Sequence, residues 1–158
     1  MCIRDRRSDG TVWAWGVGTV GQLGNGGTAN SPVPVQVSGL TGVTAISGSY
    51  ALRSDGTVWA WGSNTQGQLG NGTTGNNSTV PVKVSGLTGV TAIAGVLDGG
   101  SGYALRSDGT VWAWGPNFFG ELGNGTTTQS TVPVKVSGLT GVAAIAGGDG
   151  TGYALVGP

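Results

Sequence analysis

The 158 residues include 34 glycines, whereas charged residues make up only 9% and the formal net charge is zero. This composition predicts a backbone that turns often, which is typical of loop-rich all-β domains. The few basic residues form no cluster, so a nucleic-acid interface is not expected. One cysteine and no histidine argue against a disulfide, a metal site and a metal cofactor. The apolar runs are far shorter than the roughly 20 residues of a membrane helix, so membrane insertion is not expected.

The first six residues match no other part of the chain. We interpret residues 1–6 as a non-repeat leader that marks a boundary of the sequence rather than a functional element. Its charged residues stand where a secretory signal would need an apolar stretch, so these residues predict no signal peptide.

From Arg7 onward the chain repeats itself. The decapeptide Arg-Ser-Asp-Gly-Thr-Val-Trp-Ala-Trp-Gly occurs three times without change, and so does Val-Ser-Gly-Leu-Thr-Gly-Val. Residues 7–158 are therefore predicted to form one repeat domain. Its three repeats cover about 7–52, 53–105 and 106–158.

Each repeat contains four short segments with strand character. In chain order these are Thr-Val-Trp-Ala-Trp, Pro-Val-x-Val, Val-x-Ala-Ile and Tyr-Ala-Leu. The second and third segments are joined by a Ser-Gly-Leu-Thr-Gly turn. Tyr-Ala-Leu is followed by an Asp-Gly pair such as Asp55-Gly56, which favours a tight hairpin because both positions accept a positive φ.

Two features indicate how these strands form a sheet. Proline removes a donor from the hydrogen-bond ladder, so the strand that begins with Pro34, Pro81 or Pro133 should be outermost. The tryptophans alternate with valine and alanine, so both faces of the sheet must be covered. The predicted fold is all-β, a β-propeller of four-stranded antiparallel blades with about three blades present, and a flat β-solenoid is the alternative.

The combined motif resembles the regulator of chromosome condensation family and covers the chain from Arg7 to Leu155. The resemblance implies a seven-bladed propeller. Two departures are that only three repeats are present and that no histidine precedes the Ala-Leu strand, where Thr151 stands in the third repeat. The matching residues are Ala51-Leu52, Asp55-Gly56, Trp61-Gly62, Asn64, Gly67-Gln68-Leu69-Gly70 and Pro81.

Three blades are too few to close a propeller ring, which typically has four to eight. Two tryptophan-lined faces would then be open, and apolar patches of that size are seldom bare on a monomer. We therefore expect the remaining blades to come from a longer chain or from self-association. The last Tyr-Ala-Leu strand, 153–155, is expected to pair with a tryptophan-bearing strand from the N-terminus.

The candidate catalytic and metal-binding residues are better explained as turn residues. An active site needs unlike groups in one asymmetric arrangement, whereas here the same residues recur in every repeat. Asp9, Asp55 and Asp108 each precede a glycine in the predicted hairpin. Asp98 and Asp149 lie in glycine-rich loops, but one carboxylate in each loop falls short of the ligands that calcium takes. The sequence predicts no enzyme and no metal site.

The copies differ mainly in two of the four connections. Alternate connections of an antiparallel meander lie at the same end, so the two invariant turns should share one face and the variable connections the other. Variable loops on a fixed scaffold are typical of a binding surface, although drift without selection predicts the same pattern. Two adjacent phenylalanines could anchor a partner or pack over the rim. The predicted partner-binding residues are Leu97, Asp98, Asn117, Phe118, Phe119 and Glu121.

The leading hypothesis is a non-catalytic propeller module for protein–protein interaction, with an unknown protein partner. The alternative is a secreted or cell-surface module, because the near-perfect repeats look like bacterial members of the family, including a secreted β-lactamase-inhibiting propeller. An extracellular or bacterial cell-surface location is expected for that reason. The family's named member exchanges guanine nucleotide on the Ran GTPase. That activity is not expected here, because its histidines and its basic tail are absent.

Overall fold

The computed structural model describes residues 2–6, 8–96 and 99–157, and every regular element in these residues is a β-strand. Within these ranges there is no helix of the length and apolarity needed to cross a bilayer. The strands of the first half are β1 (Cys2–Arg6), β2 (Val12–Gly16), β3 (Ser31–Gln36), β4 (Val43–Ser47), β5 (Tyr50–Arg53), β6 (Val58–Gly62) and β7 (Ser78–Lys83). Those of the second half are β8 (Val90–Gly95), β9 (Gly102–Arg106), β10 (Val111–Gly115), β11 (Ser130–Lys135), β12 (Val142–Gly148) and β13 (Thr151–Val156).

The strands form four antiparallel sheets of the kind predicted for propeller blades. Two sheets are four-stranded, with the orders β4-β5-β6-β7 and β8-β9-β10-β11. In the described part of the chain, β1-β2-β3 form a three-stranded sheet and β12-β13 a two-stranded one. The proline-bearing strands β3, β7 and β11 lie at the edges of their sheets, which confirms the prediction from the missing N–H donor.

The sheets do not coincide with the sequence repeats. Each four-stranded sheet takes its first two strands from the end of one repeat and its last two from the next. The Ser-Gly-Leu-Thr-Gly segment does join two strands, but these strands lie in neighbouring sheets, as β7 and β8 do. Residues of the predicted leader form β1, which pairs with β2 as β5 pairs with β6.

The core lies between neighbouring sheets, and the tryptophan strands contribute to it on both faces. Trp61 of β6 is fully buried against the preceding sheet, in a cluster that includes Val12 and Ala14. Val58 and Ala60 on the other face of β6 belong to the next cluster, together with Trp114 of β10. Both faces of this strand are therefore covered, as the alternation of tryptophan with valine and alanine predicted.

The Asp-Gly hairpin forms where it was predicted, but its backbone differs from the expected one. Gly56 has a φ of 76°, whereas no residue but glycine and Asp149 has a positive φ in the described ranges. Gly56 N–H donates to the Arg53 carbonyl at 2.9 Å. Asp55 instead accepts bonds from the Thr57 N–H at 3.0 Å and the Thr57 hydroxyl at 2.6 Å. The aspartate is selected as a hydrogen-bond acceptor and not for a left-handed conformation.

These bonds predict a specific acid sensitivity. They lower the pKa of Asp55 and, through Thr110, the pKa of Asp108. A carboxyl whose pKa is lower in the folded state stabilises the fold above its unfolded pKa of about 3.9, and this contribution is lost as the pH falls further. The double variant Asp55→Asn/Asp108→Asn should therefore show a smaller drop in the urea midpoint between pH 6 and pH 3 than the parent chain. Ser54→Ala is the control and should keep the parent's drop; an unchanged drop in the double variant would contradict the assignment.

Candidate functional site

The invariant turns share one face of the molecule, which we call the turn face. It consists of the Ser-Asp-Gly hairpins and the Leu-Thr-Gly segments between sheets. Ser54 N–H donates to the Gly42 carbonyl at 2.9 Å, and Ser107 N–H donates to Gly89 at the same distance. Arg53 Nε also donates to the Thr41 carbonyl at 2.9 Å. These bonds join the two kinds of turn, as predicted from the meander.

The variable connections lie together on the opposite face, which we call the loop face. It consists of residues 17–30, 63–77 and 116–129 after the tryptophan strands, and of the described parts of the short connections at 48–49, 96–101 and 149–150. Gln68 Nε2 donates to the Gly99 carbonyl at 2.9 Å. Ser101 Oγ donates to the Pro116 carbonyl at 2.8 Å. The variable connections therefore lie on one face of the molecule, as the order of the antiparallel strands predicted.

Asn117 supports the third long loop from inside. Its side chain is fully buried, with 0% exposed. Nδ2 donates to the carbonyls of Thr126 at 2.9 Å and Thr128 at 3.0 Å, and Oδ1 accepts from Leu122 N–H at 2.9 Å. The prediction that Asn117 contacts a partner is wrong, because its amide is fully buried and is occupied by three backbone groups.

The equivalent residue of the second repeat shows that this amide is part of the scaffold. Asn64 is also fully buried, its Nδ2 donates to the Thr73 carbonyl at 3.1 Å, and its Oδ1 accepts from Leu69 N–H at 3.1 Å. The recurrence of asparagine five residues before the same leucine was the sequence signal for this role.

Glu121 shapes the tip of the loop with its carboxylate. Its Oε2 accepts from Phe119 N–H at 2.8 Å. Gln22 and Gln68 accept from the equivalent N–H groups in the other two repeats, also at 2.8 Å. An acceptor at this position is therefore common to all three loops, and the negative charge is particular to the third.

The two phenylalanines are the exposed part of this loop. Phe119 is 93% exposed and Phe118 is 59% exposed. Thr65 and Gln66 stand at the equivalent positions of the second repeat. The Glu121 bond holds the backbone of Phe119, so an aromatic pair projects from an ordered loop. Such a pair can contribute a large apolar contact area to a protein partner.

Leu97 and Asp98, the other predicted contact residues, lie outside the described residues. Gly99 and Ser101 of the same connection are described, and both contact loops that follow tryptophan strands. The described end of this longer connection therefore lies on the loop face.

Two of the aspartates singled out in the sequence lie in turns. Asp55 and Asp108 act in hairpins, and within the described ranges no three residues among His, Cys, Asp and Glu form a group that could hold a metal ion. Burial raises the pKa of Tyr50, which therefore stays neutral and donates to the Gln68 carbonyl at 2.9 Å.

Similarity to known sequences covers most of the chain. The family model for the regulator of chromosome condensation (RCC1) repeat matches residues 9–51, 55–97 and 108–155. The human E3 ubiquitin-protein ligase HERC2 is 35% identical over 146 residues, which are 89% of this chain and 3% of HERC2. The ultraviolet-B receptor UVR8 of Arabidopsis thaliana is 32% identical over 137 residues, which are 83% of this chain and 31% of the receptor. The chain thus spans less than a third of these relatives.

Solved structures show the same fold. The structure of human WBSCR16 superposes with a TM-score of 0.77 at 25% identity, over 92% of this chain and 40% of that one. Prp20p from Saccharomyces cerevisiae superposes with a TM-score of 0.79 at 24% identity, over 98% of this chain and 41% of that one. A similar match, with a TM-score of 0.78, is found in the structure of Kap60 bound to yeast RCC1 (Prp20), at 24% identity over 98% of this chain and 39% of that one.

Proposed function

The chain belongs to the regulator of chromosome condensation repeat family, and from this premise we propose that it is a non-catalytic β-propeller module that binds a protein partner through its loop face. The observation that carries the proposal is the exposed Phe118–Phe119 pair on an ordered loop. Leu97 and Asp98 are proposed to extend the same surface.

Two properties of the loop face support this proposal. Its backbone is held by the same hydrogen bonds in the second and third repeats, through Asn64 and Asn117. The side chains at the loop tip nevertheless differ between repeats. A fixed backbone with changing side chains allows a binding surface to vary without loss of the fold.

The solved structures with this fold support protein binding in general. Yeast RCC1 (Prp20) has been solved bound to Kap60, and Prp20p binds Gsp1p and histones. All of these are proteins, so propellers of this fold do bind proteins. The identity of the partner of this chain, and its bacterial or extracellular setting, remain predictions from the sequence.

The test compares two matched double variants. Phe118→Ser/Phe119→Ser removes the aromatic pair, and Thr65→Ser/Gln66→Ser changes the equivalent positions of the second repeat. We expect peptides selected from a display library on the parent chain to lose at least about tenfold in affinity for the phenylalanine variant, the effect of an anchor contributing about 1.4 kcal/mol or more. Their affinity for the control should be unchanged.

Circular dichroism separates a binding role from a packing role. Both aromatics are exposed, so the near-ultraviolet signal of the buried tryptophans and the urea midpoint should stay at the parent values. Selected peptides that bind all three proteins equally would place the binding surface elsewhere. A lost tryptophan signal in the phenylalanine variant would instead show that the pair is structural.

A further inference from the structure

The charged residues of the loop face are all acidic. The sequence of its segments contains Asp98, Glu121 and Asp149, and neither a lysine nor an arginine. Glu121 and Asp149 are described, and their segments lie together, because a Cβ on Gly150 would be 4.0 Å from Glu121 Cγ. The loop face is therefore negatively charged, although the chain as a whole has a formal net charge of zero.

Two arginines on the turn face show how this chain uses a guanidinium group. Arg53 lies over the ring of Trp59, with 5.8 Å between Cζ and the ring centroid, and its Nη1 is 4.0 Å from Asp55 Oδ2. Arg106 has the equivalent two neighbours in the third repeat, at 5.9 Å and 3.9 Å. The turn face thus contains two arginines that each lie between a carboxylate and an indole ring.

The tip of the third long loop contains a carboxylate and aromatic rings but no arginine. Glu121 Oε2 accepts from Phe119 N–H at 2.8 Å, which holds the carboxylate beside the backbone of the phenylalanine pair. A carboxylate has about four lone-pair sites, so this bond leaves others for a cation. A guanidinium group can pair with a carboxylate and stack on an aromatic ring. The loop tip therefore presents the two kinds of group that surround Arg53, without the arginine.

The exposure of Phe118 belongs to its position in the loop. Thr19 and Thr65 stand at this position in the first two loops, each of which is followed by a four-stranded sheet, and both are exposed. At the next position Val20 and Gln66 are half-buried. The position of Phe118 is therefore accessible where a complete sheet follows the loop.

The negative charge of Glu121 is not needed to form the loop. Gln68 stands at this position in the second repeat, where its Oε1 accepts from Gln66 N–H at 2.8 Å and its Nε2 donates to the Gly99 carbonyl at 2.9 Å. A carboxylate can make the first of these bonds but not the second, because it has no donor. The third repeat thus has a charge where an amide satisfies the scaffold, and this charge is available to a partner.

We propose that the loop face binds a protein segment with an arginine next to an apolar residue, and that this arginine pairs with Glu121 and stacks on Phe118. This inference rests on the function proposed above and specifies the chemistry of the partner. The carboxylates of this face disfavour nucleic-acid phosphates and anionic lipid headgroups and favour a basic segment. Lysine supplies the charge but not the planar group that stacks, so arginine is expected at this position of the partner.

The test selects peptides of random sequence on the parent chain and measures their affinity for two matched variants. Glu121→Gln keeps an acceptor for Phe119 N–H and removes the charge, whereas Asp55→Asn removes the same charge from the turn face. We expect arginine next to an apolar residue to be enriched in the selected peptides. Their affinity should fall about two- to fivefold for Glu121→Gln, the effect of an exposed ion pair, and stay unchanged for Asp55→Asn.

A peptide with glutamine in place of its arginine completes a double-mutant cycle. This peptide should bind the parent more weakly than the arginine peptide does. It should bind the parent and Glu121→Gln with equal affinity, because the ion pair is then already absent. A peptide with lysine in place of the arginine should also lose affinity for the parent, since it keeps the charge but not the stacking group.

The outcomes separate this inference from the function on which it rests. Selected peptides that need Phe118 and Phe119 but show no preference for arginine would overturn the inference and leave the proposed function standing. Peptides that bind Phe118→Ser/Phe119→Ser as tightly as the parent would overturn both. An equal loss of affinity for Glu121→Gln and Asp55→Asn would show attraction by net charge alone, and it would overturn the arginine site.

Discussion

Replacing Trp114 by alanine should lower the free energy of unfolding by about 3–5 kcal/mol, the range for removing a large buried aromatic side chain. Trp114 is fully buried, its ring meets Tyr50 edge to face at 5.4 Å between centroids, and its Nε1 donates to the Gln68 carbonyl. The substitution removes all three contributions and leaves a cavity between two sheets. The loss is measured by urea unfolding followed by circular dichroism.

The repeats supply matched controls for this prediction. Trp15 occupies the same position of the same decapeptide but is only half-buried, and Trp112 is half-buried with its Nε1 directed to the Thr110 hydroxyl at 3.2 Å. Alanine at either position should cost clearly less than at Trp114. An equal loss in the free energy of unfolding at Trp15, Trp112 and Trp114 would mean that local strand propensity, and not packing between sheets, determines the stability.

Much of the blade could be predicted because the determinants are local. Pro81 of β7 lacks an N–H donor wherever the strand lies, so the edge position of β7 follows from chemistry alone. The alternation of Trp59 and Trp61 with Val58 and Ala60 requires two apolar surroundings on any sheet. The division of loops into two faces follows from the antiparallel order of strands.

The sequence could not predict that each sheet combines two strands of one repeat with two strands of the next. The order of strands along the chain is identical whether β7 belongs with β6 or with β8, and pairing between distant segments decides which sheet forms. Nor can identical copies reveal which tryptophan meets which tyrosine. Tyr50 and Trp114 are 64 positions apart and meet only because their sheets are neighbours.

The exposed residues of the candidate site could be predicted from the sequence, whereas its buried residue could not. Phe118 and Phe119 are exposed because nothing in a long loop compels an aromatic to turn inward, and their conspicuous chemistry made them visible in the sequence. Asn117 was misassigned because asparagine in a loop is usually a surface residue. Its buried role depends on carbonyls of Thr126 and Thr128, which lie nine and eleven residues away.

Replacing Asn117 by alanine should therefore destabilise the chain by about 1–3 kcal/mol, because the buried Leu122 N–H would be left without its acceptor and the carbonyls of Thr126 and Thr128 would lose their donor. Urea unfolding measures the loss, and amide hydrogen exchange should show faster exchange at Leu122. Asn124→Ala is the control, since its bonds to Thr126 are exposed, and it should cost less than about 1 kcal/mol.

This variant also separates support of the loop from contact with a partner. If Asn117 acts through the backbone, Asn117→Ala should weaken peptide binding together with the loss of stability and of exchange protection. The Phe118→Ser/Phe119→Ser variant should weaken peptide binding but leave the stability and the exchange protection unchanged, because those side chains are exposed. An Asn117→Ala variant that keeps its stability but loses binding would contradict the buried role. It would indicate that Asn117 contacts the partner directly.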